Sequence, residues 1–143
     1  MHVSEATPQM LPEITGLLQS QSLPVEDLSE DLNGFLVATD GGSLVGVIGV
    51  EIYGNYGLLR SMAVHPDYRN RAIAAALAEA LEYRAKNAGV KALYLLTETA
   101  QHYFTKKGFS VITRETVPDE VKKSAEFSHV CPVSAIVMTK QLI

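Results

Sequence analysis

The chain has 143 residues, enough for one domain and too short for two ordinary ones. With a formal charge of -4 it lacks the basic excess of a protein that lives on phosphate backbones, so nucleic acid is not an expected partner. Apolar residues make up 47% of the chain, so a real core can form, yet no apolar run reaches the roughly 20 residues that a bilayer span requires. Cys131 is the single cysteine and cannot close an internal disulfide, and Met1-His2-Val3-Ser4-Glu5 lacks the features of a secretion signal. Both point to a cytoplasmic protein without membrane contact.

Val3 to Thr7 reads as a short strand closed by Pro8. Leu11, Ile14, Leu17 and Leu18 then recur at helical spacing, Pro24 breaks the helix, and Leu28 and Leu32 suggest a second short helix before Asn33-Gly34. Phe35 to Thr39 and Ser43 to Tyr53 read as strands joined by Asp40-Gly41-Gly42, and Gly54-Asn55 leads into a third strand, Tyr56 to Val64. His65-Pro66-Asp67 ends this meander. Arg71 to Ala88 is the longest predicted helix, with Ile73, Leu77, Ala80, Leu81 and Ala88 on one face and Gly89 as its stop. A Leu-rich strand comes next, over Lys91 to Thr97. After it come a helix over Ala100 to Lys107, a strand over Phe109 to Thr113, a helix over Pro118 to Phe127 and a last strand over Val133 to Thr139.

An antiparallel meander followed by β-α-β-α-β, with no repeat and no linker, is an α+β (mixed α/β) architecture around a central sheet, in one domain over residues 1–143.

The run Leu58-Leu59-Arg60-Ser61-Met62-Ala63-Val64-His65-Pro66, continued by Arg69-Asn70-Arg71-Ala72-Ile73-Ala74, resembles the acetyl-CoA site of the GNAT family of N-acetyltransferases. The chemistry is readable without the name. A loop that opens a helix offers unpaired N–H groups and the positive end of the helix dipole to a pyrophosphate, and Arg69 and Arg71 add charge beside it. Leu93 to Thr97, Tyr103-Phe104 and Lys107-Gly108-Phe109 resemble the second half of the same site. The resemblance implies a GNAT-like, mostly antiparallel sheet flanked by helices, with strands splayed at the acetyl-CoA site. It also implies acetyl-CoA as cosubstrate and acetyl transfer to the amine of a small, acidic or amino-acid-like molecule. On this reading Met62, Ala63, Val64, Arg69, Asn70, Arg71, Ala72, Ile73, Ala74, Tyr103 and Phe104 hold the cofactor, and the Met62 N–H also serves as oxyanion donor. Val50 to Gly54 and Cys131-Pro132-Val133-Ser134-Ala135, with the strands above, resemble a short branch of the family associated with arsenic resistance. GNAT domains are often dimers, which leaves a homodimer open.

Two positions depart from the family pattern. Asn70 and Ala72 stand where glycine is usual, and Phe104 stands where many members carry the tyrosine that protonates the departing thiolate. Tyr103, one residue earlier, points about 100° away on a helix, leaving water or Cys131 as alternative acids.

The acceptor side rests on fewer signals. Glu51 is a carboxylate in an apolar strand, where burial would raise its proton affinity toward that of a general base; an ion pair is the alternative. Arg60, on the neighbouring antiparallel strand, should lie close to it, as a structural partner or as a fork for the acidic group of the substrate. Thr97 ends a strand at the site and is equally well read as a helix cap. Cys131 stands in a C-terminal segment that would reach the acceptor pocket by folding back, or is a small buried hydrophobe. The His residues show no metal-binding spacing, so no metal is expected. Two other functions compete: a degenerate CoA-binding domain that senses without turnover, and an acetyltransferase for protein N-termini or lysines.

Overall fold

The computed structural model describes residues 1–130 and 134–142, with side chains for 1–128 and 134–142. Its strands are β1 (His2–Glu5), β2 (Phe35–Asp40), β3 (Ser43–Tyr53), β4 (Tyr56–Val64), β5 (Ala92–Thr97), β6 (Ser110–Ile112) and β7 (Ile136–Gln141). They form one sheet in the order β1-β2-β3-β4-β5-β7-β6. β4 and β5 run parallel, while β1–β2, β2–β3, β5–β7 and β6–β7 are antiparallel. The helices are α1 (Leu11–Ser20), α2 (Ile73–Asn87), α3 (Gln101–Lys106) and α4 (Asp119–Lys122). This is the expected α+β class. The chain groups into two compact units, one of Met1–Val50 with Ser61–Arg84, the other of Glu51–Arg60 with the chain from Ala85 onward.

In the first unit, α1 buries Ile14, Leu17 and Leu18, the helical stripe read from the sequence. They join Leu32, Phe35, Val37, Val47 and Ala63 in one core, to which each of the larger side chains contributes about 1.5–3 kcal/mol. Gly41 and Gly42 take φ of 59° and 86° between paired Asp40 and Ser43. Positive φ at both turn residues matches the twist of the two strands they join. The helix expected around Leu28 and Leu32 does not form. Asp31 Oδ1 accepts from Ser29 Oγ at 2.9 Å and from the Asn33 N–H at 3.0 Å, and such local bonds compete with helical ones. Leu32, at φ 54°, nevertheless reaches the core.

The longest helix starts at Ile73 rather than Arg71. Asn70 (φ 66°) and Ala72 (φ 61°) occupy the left-handed region, which no residue of a right-handed helix can do. Its buried face is Ile73, Leu77, Leu81 and Ala85, with Ala88 exposed. The expectation for Ala88 placed it one turn too far along the stripe. Gly46 of β3 lets the helix approach: a Cβ there would meet Leu77 Cδ1 at 3.0 Å and Ile73 Cγ2 at 3.2 Å.

In the second unit, β4 pairs with β5 through Tyr56↔Ala92, Gly57↔Leu93 and Leu58↔Tyr94. Leu58, Ala92, Tyr94, Val117, Val121 and Val137 form its core. The single helix expected over Pro118 to Phe127 is two pieces, α4 and a π-helical turn at Glu126–Val130. Buried Ser124 sits at the break. Its Oγ accepts the Phe127 N–H three residues on at 3.4 Å, the bond of a residue that caps the start of a new helical piece rather than continuing the old one. β7 starts at Ile136; Val133, the expected first residue, lies outside the described residues.

Alanine at φ near 60° is strained by its Cβ where glycine is not. Ala72→Gly should therefore raise the unfolding free energy by about 1 kcal/mol and Ala72→Val should lower it, both read from urea denaturation. Equal stability of all three would contradict the left-handed turn.

Candidate functional site

The cofactor candidates of the first unit form one continuous path. β4 carries Met62, Ala63 and Val64 to the edge of the turn, where the Val64 carbonyl accepts from Gln21 Nε2 at 2.7 Å and the His65 N–H donates to Val45 O at 2.8 Å. The strand is not regular before Met62. Ser61, buried between Arg60 and Met62, has φ 57°. A left-handed residue inside a strand interrupts the alternation of side chains and re-aims the residues after it, a device found where backbone groups serve a ligand. Sequence reasoning missed Ser61, because a serine in an apolar strand carries no signal for φ.

After β4, His65 Nδ1 accepts the Asp67 N–H at 3.1 Å, and a 3-10 turn over Pro66–Tyr68 leads to Arg69. Arg69, Asn70, Arg71 and Ala72 are exposed. The Arg71 guanidinium lies 5.0 Å from the centre of the Tyr68 ring, a cation–π contact that restrains it beside the loop. The first bond of α2 runs from the Ala76 N–H to Ala72 O at 3.0 Å, so the amides of Ile73, Ala74 and Ala75 precede the helical ladder. Two left-handed residues thus lead into helix amides outside the ladder, an arrangement that can receive an anion.

In the second unit, Phe104 is a core residue on α3, edge-on to Phe109 with ring centres 5.4 Å apart. Tyr103 is turned away from that position, as helical geometry requires. Its hydroxyl is buried and has no hydrogen-bond partner among the described residues. Burial pushes the phenol up from its ordinary value, so the hydroxyl keeps its proton at neutral pH and is a donor without an acceptor. A buried polar atom left in that state costs about 1–3 kcal/mol, which a ligand oxygen or sulfur would relieve.

Glu51 and Arg60 meet, as their strands foretell. Arg60 Nη1 donates to Glu51 Oε2 at 3.0 Å, and the Tyr53 hydroxyl donates to Glu51 Oε1 at 2.7 Å. The Arg60 side chain is 1% exposed and that of Glu51 30%. Glu51 is therefore neither isolated nor wholly buried. A third charge completes the cluster: Glu126 Oε2 lies 3.7 Å from Arg60 Nη2, with its side chain 6% exposed. Nothing in the sequence linked Glu126 to Arg60, because on an uninterrupted helix it reads as an ordinary surface carboxylate. Thr97 Oγ1 accepts the Ala100 N–H at 2.9 Å, which braces the loop ahead of α3, while no side chain caps the first turn of that helix. Cys131 lies outside the described residues. Among the described residues no group of three or more His, Cys, Asp or Glu could hold a metal ion, and no helix is long and apolar enough to cross a membrane.

Residues 31–111 match the Acetyltransferase (GNAT) domain family. The chain is 29% identical over 113 residues to the amino-acid acetyltransferase of Pasteurella multocida, covering 78% of this chain and 25% of that protein. It is 30% identical over 124 residues to the amino-acid acetyltransferase of Mannheimia succiniciproducens, covering 80% of this chain and 28% of that one. It thus spans about a quarter of the length of the curated relatives it matches. Among solved structures, N-acetylglutamate synthase from Neisseria gonorrhoeae, complexed with coenzyme A and N-acetyl-glutamate, superposes with a TM-score of 0.86 at 16% identity, over 99% of this chain and 35% of that one. The Mycobacterium tuberculosis protein Rv2747, solved in complex with CoA, superposes with a TM-score of 0.84 at 24% identity over 100% of both chains. With a family match over more than half its length, on this fold and around this loop, the chain belongs to the GNAT acetyltransferase family.

Proposed function

We propose that this chain is an acetyl-CoA-dependent N-acetyltransferase acting on the amine of a small, amino-acid-like acceptor by direct attack. The observation that carries the reading is the Arg69–Ala74 loop, whose left-handed Asn70 and Ala72 keep a phosphate-loop backbone without glycine. Names of relatives support the acceptor class: two are amino-acid acetyltransferases, and the Neisseria gonorrhoeae synthase was solved with N-acetyl-glutamate.

On this reading the amides of Ile73 and Ala74, with Arg69 and Arg71, hold the pyrophosphate, and the backbone of Met62 to Val64 holds the pantetheine arm. The Met62 N–H donates to the thioester oxygen as it gains charge. Glu51 accepts the proton that the acceptor nitrogen sheds as it bonds to the acetyl carbon, and the carbon–sulfur bond breaks to release CoA. The thiolate is a tolerable leaving group, with an ordinary thiol pKa of about 8.5. The Tyr103 hydroxyl donates to the bound cofactor. Arg60, buried against two carboxylates, supports Glu51 rather than reaching for the substrate, so an acidic acceptor now rests on the relatives' names rather than on Arg60.

The direct test is release of free thiol from acetyl-CoA with a panel of amino acids and related amines. Thiol release above the hydrolytic background with at least one amine is expected. Binding of acetyl-CoA with no release for any acceptor would favour the sensing reading. Glu51→Gln should lower turnover about 100-fold at pH 7, and less above pH 9, where more of the amine is already neutral. An equal loss at both pH values would remove Glu51 as base.

Tyr103→Phe separates a ligand donor from a core residue. The unliganded variant should be as stable as the parent or slightly more so, because an unsatisfied hydroxyl is gone. Its affinity for acetyl-CoA, measured by calorimetry, should fall about fivefold, the loss of one hydrogen bond of about 1 kcal/mol. Unchanged affinity would remove Tyr103 from the cofactor site.

A further inference from the structure

We propose that Glu126 is a positioning residue for Glu51, acting through the buried guanidinium of Arg60; this rests on the reading of Glu51 as the base. A guanidinium this deeply buried is strongly destabilising unless it is paired. Its two terminal nitrogens face two carboxylates of different character. Nη1 lies 3.0 Å from Glu51 Oε2 and Nη2 lies 3.7 Å from Glu126 Oε2. Glu126 is an interior group, with a side chain 6% exposed, whereas Glu51, at 30%, reaches toward solvent. The buried carboxylate anchors the arginine and the accessible one is left for chemistry.

The arrangement fixes the orientation of Glu51 as well as its charge. Oε2 is held by Arg60 and Oε1 by the Tyr53 hydroxyl at 2.7 Å. The carboxylate plane is thereby set, and each oxygen keeps a lone pair for a further proton. A general base is effective only when its accepting lone pair meets the departing proton in the right geometry. The fork of Arg60 is rigid and planar, so the group that holds Nη2 also governs the direction of Nη1. Loss of the Glu126 charge removes an anionic neighbour of Nη2 and with it part of the restraint on the Nη1–Glu51 bond. The local fold supports a dedicated role. Glu126 opens the π-helical turn Glu126–Val130, just after the helix has broken at Ser124. A π turn widens the helix by one residue and re-aims its side chains, and such turns are frequent at functional sites.

A double-mutant cycle between Glu126→Gln and Glu51→Gln tests this, with kcat and the KM of each substrate measured by thiol release and folding checked by circular dichroism. Alone, Glu126→Gln should lower kcat about tenfold and leave the KM for acetyl-CoA unchanged. In the Glu51→Gln background it should cost nothing further, because the group it positions is gone. Glu126→Asp, which keeps the charge, should recover part of the loss. Should Glu126→Gln fail to fold, Arg60→Lys takes its place, since one ammonium cannot bridge both carboxylates, and the same non-additivity is expected. An equal fold-loss in both backgrounds, or no loss in the parent, would overturn the positioning role while leaving Glu51 as base. Parental turnover of Glu51→Gln would overturn the base assignment itself, and the positioning role with it.

Discussion

Everything on the cofactor side depends on one backbone constraint, the turn from β4 into α2. Two residues with side chains, Asn70 and Ala72, are held in the left-handed region within three positions of each other, Ala72 at a cost of about 1–2 kcal/mol and Asn70 at less, since asparagine tolerates that region. A chain accepts that strain only where the surrounding packing fixes it. Here β4 is anchored on one side through the His65 and Val64 backbone bonds, and Ile73 and Leu77 are seated on Gly46 on the other. The turn between these fixed ends leaves the first amides of α2 outside the helical ladder, and the proposed pyrophosphate site is built from them. Glycine is the usual means to this conformation, but the conformation is what a phosphate meets.

The acceptor side depends on a buried charge instead. Arg60 would be untenable alone in the core of the second unit, and the fold answers it with Glu51 and Glu126. The same ion pairs that make the arginine tolerable hold a partly exposed carboxylate in a set orientation. On the proposed reading, stability and catalysis are thereby linked at one guanidinium. Substitutions in this cluster have to be read in pairs, because a single change both removes a function and strands a charge.

The order of elements and the loop that leads into α2 were legible in the sequence for physical reasons. Helical spacing of apolar residues reported burial along α1 and α2, continuous apolar runs reported it along β3 and β4, and paired glycines marked the β2–β3 turn. The proximity of Glu51 and Arg60 came from the tight Gly54-Asn55 turn, which brings adjacent antiparallel strands into register. The features that failed to show were set by local hydrogen bonding or by distant contacts. Ser29 and Asp31 unmade an expected helix, Ser124 split another, and Ser61 took a left-handed φ in mid-strand, none of which side-chain polarity alone announces. Glu126 was invisible because its partner is remote along the chain and the intervening helix does not run straight through. Conversely, positions 70 and 72 depart from glycine in the sequence, whereas the backbone found there is the glycine-type turn.

Whether this loop still binds the cofactor decides the functional reading. A thermal-melt titration of the unmodified chain with acetyl-CoA and, separately, with CoA tests it most directly, because a ligand that binds only the folded state stabilises it by mass action, by about 2.7 kcal/mol at a hundredfold excess over Kd. The melting point should climb by several degrees and continue to rise with the logarithm of ligand concentration, for CoA as well as acetyl-CoA. An unmoved melting point at millimolar ligand would contradict this, and would mean that the left-handed turn at Asn70 and Ala72 has kept the shape of a phosphate loop without its function.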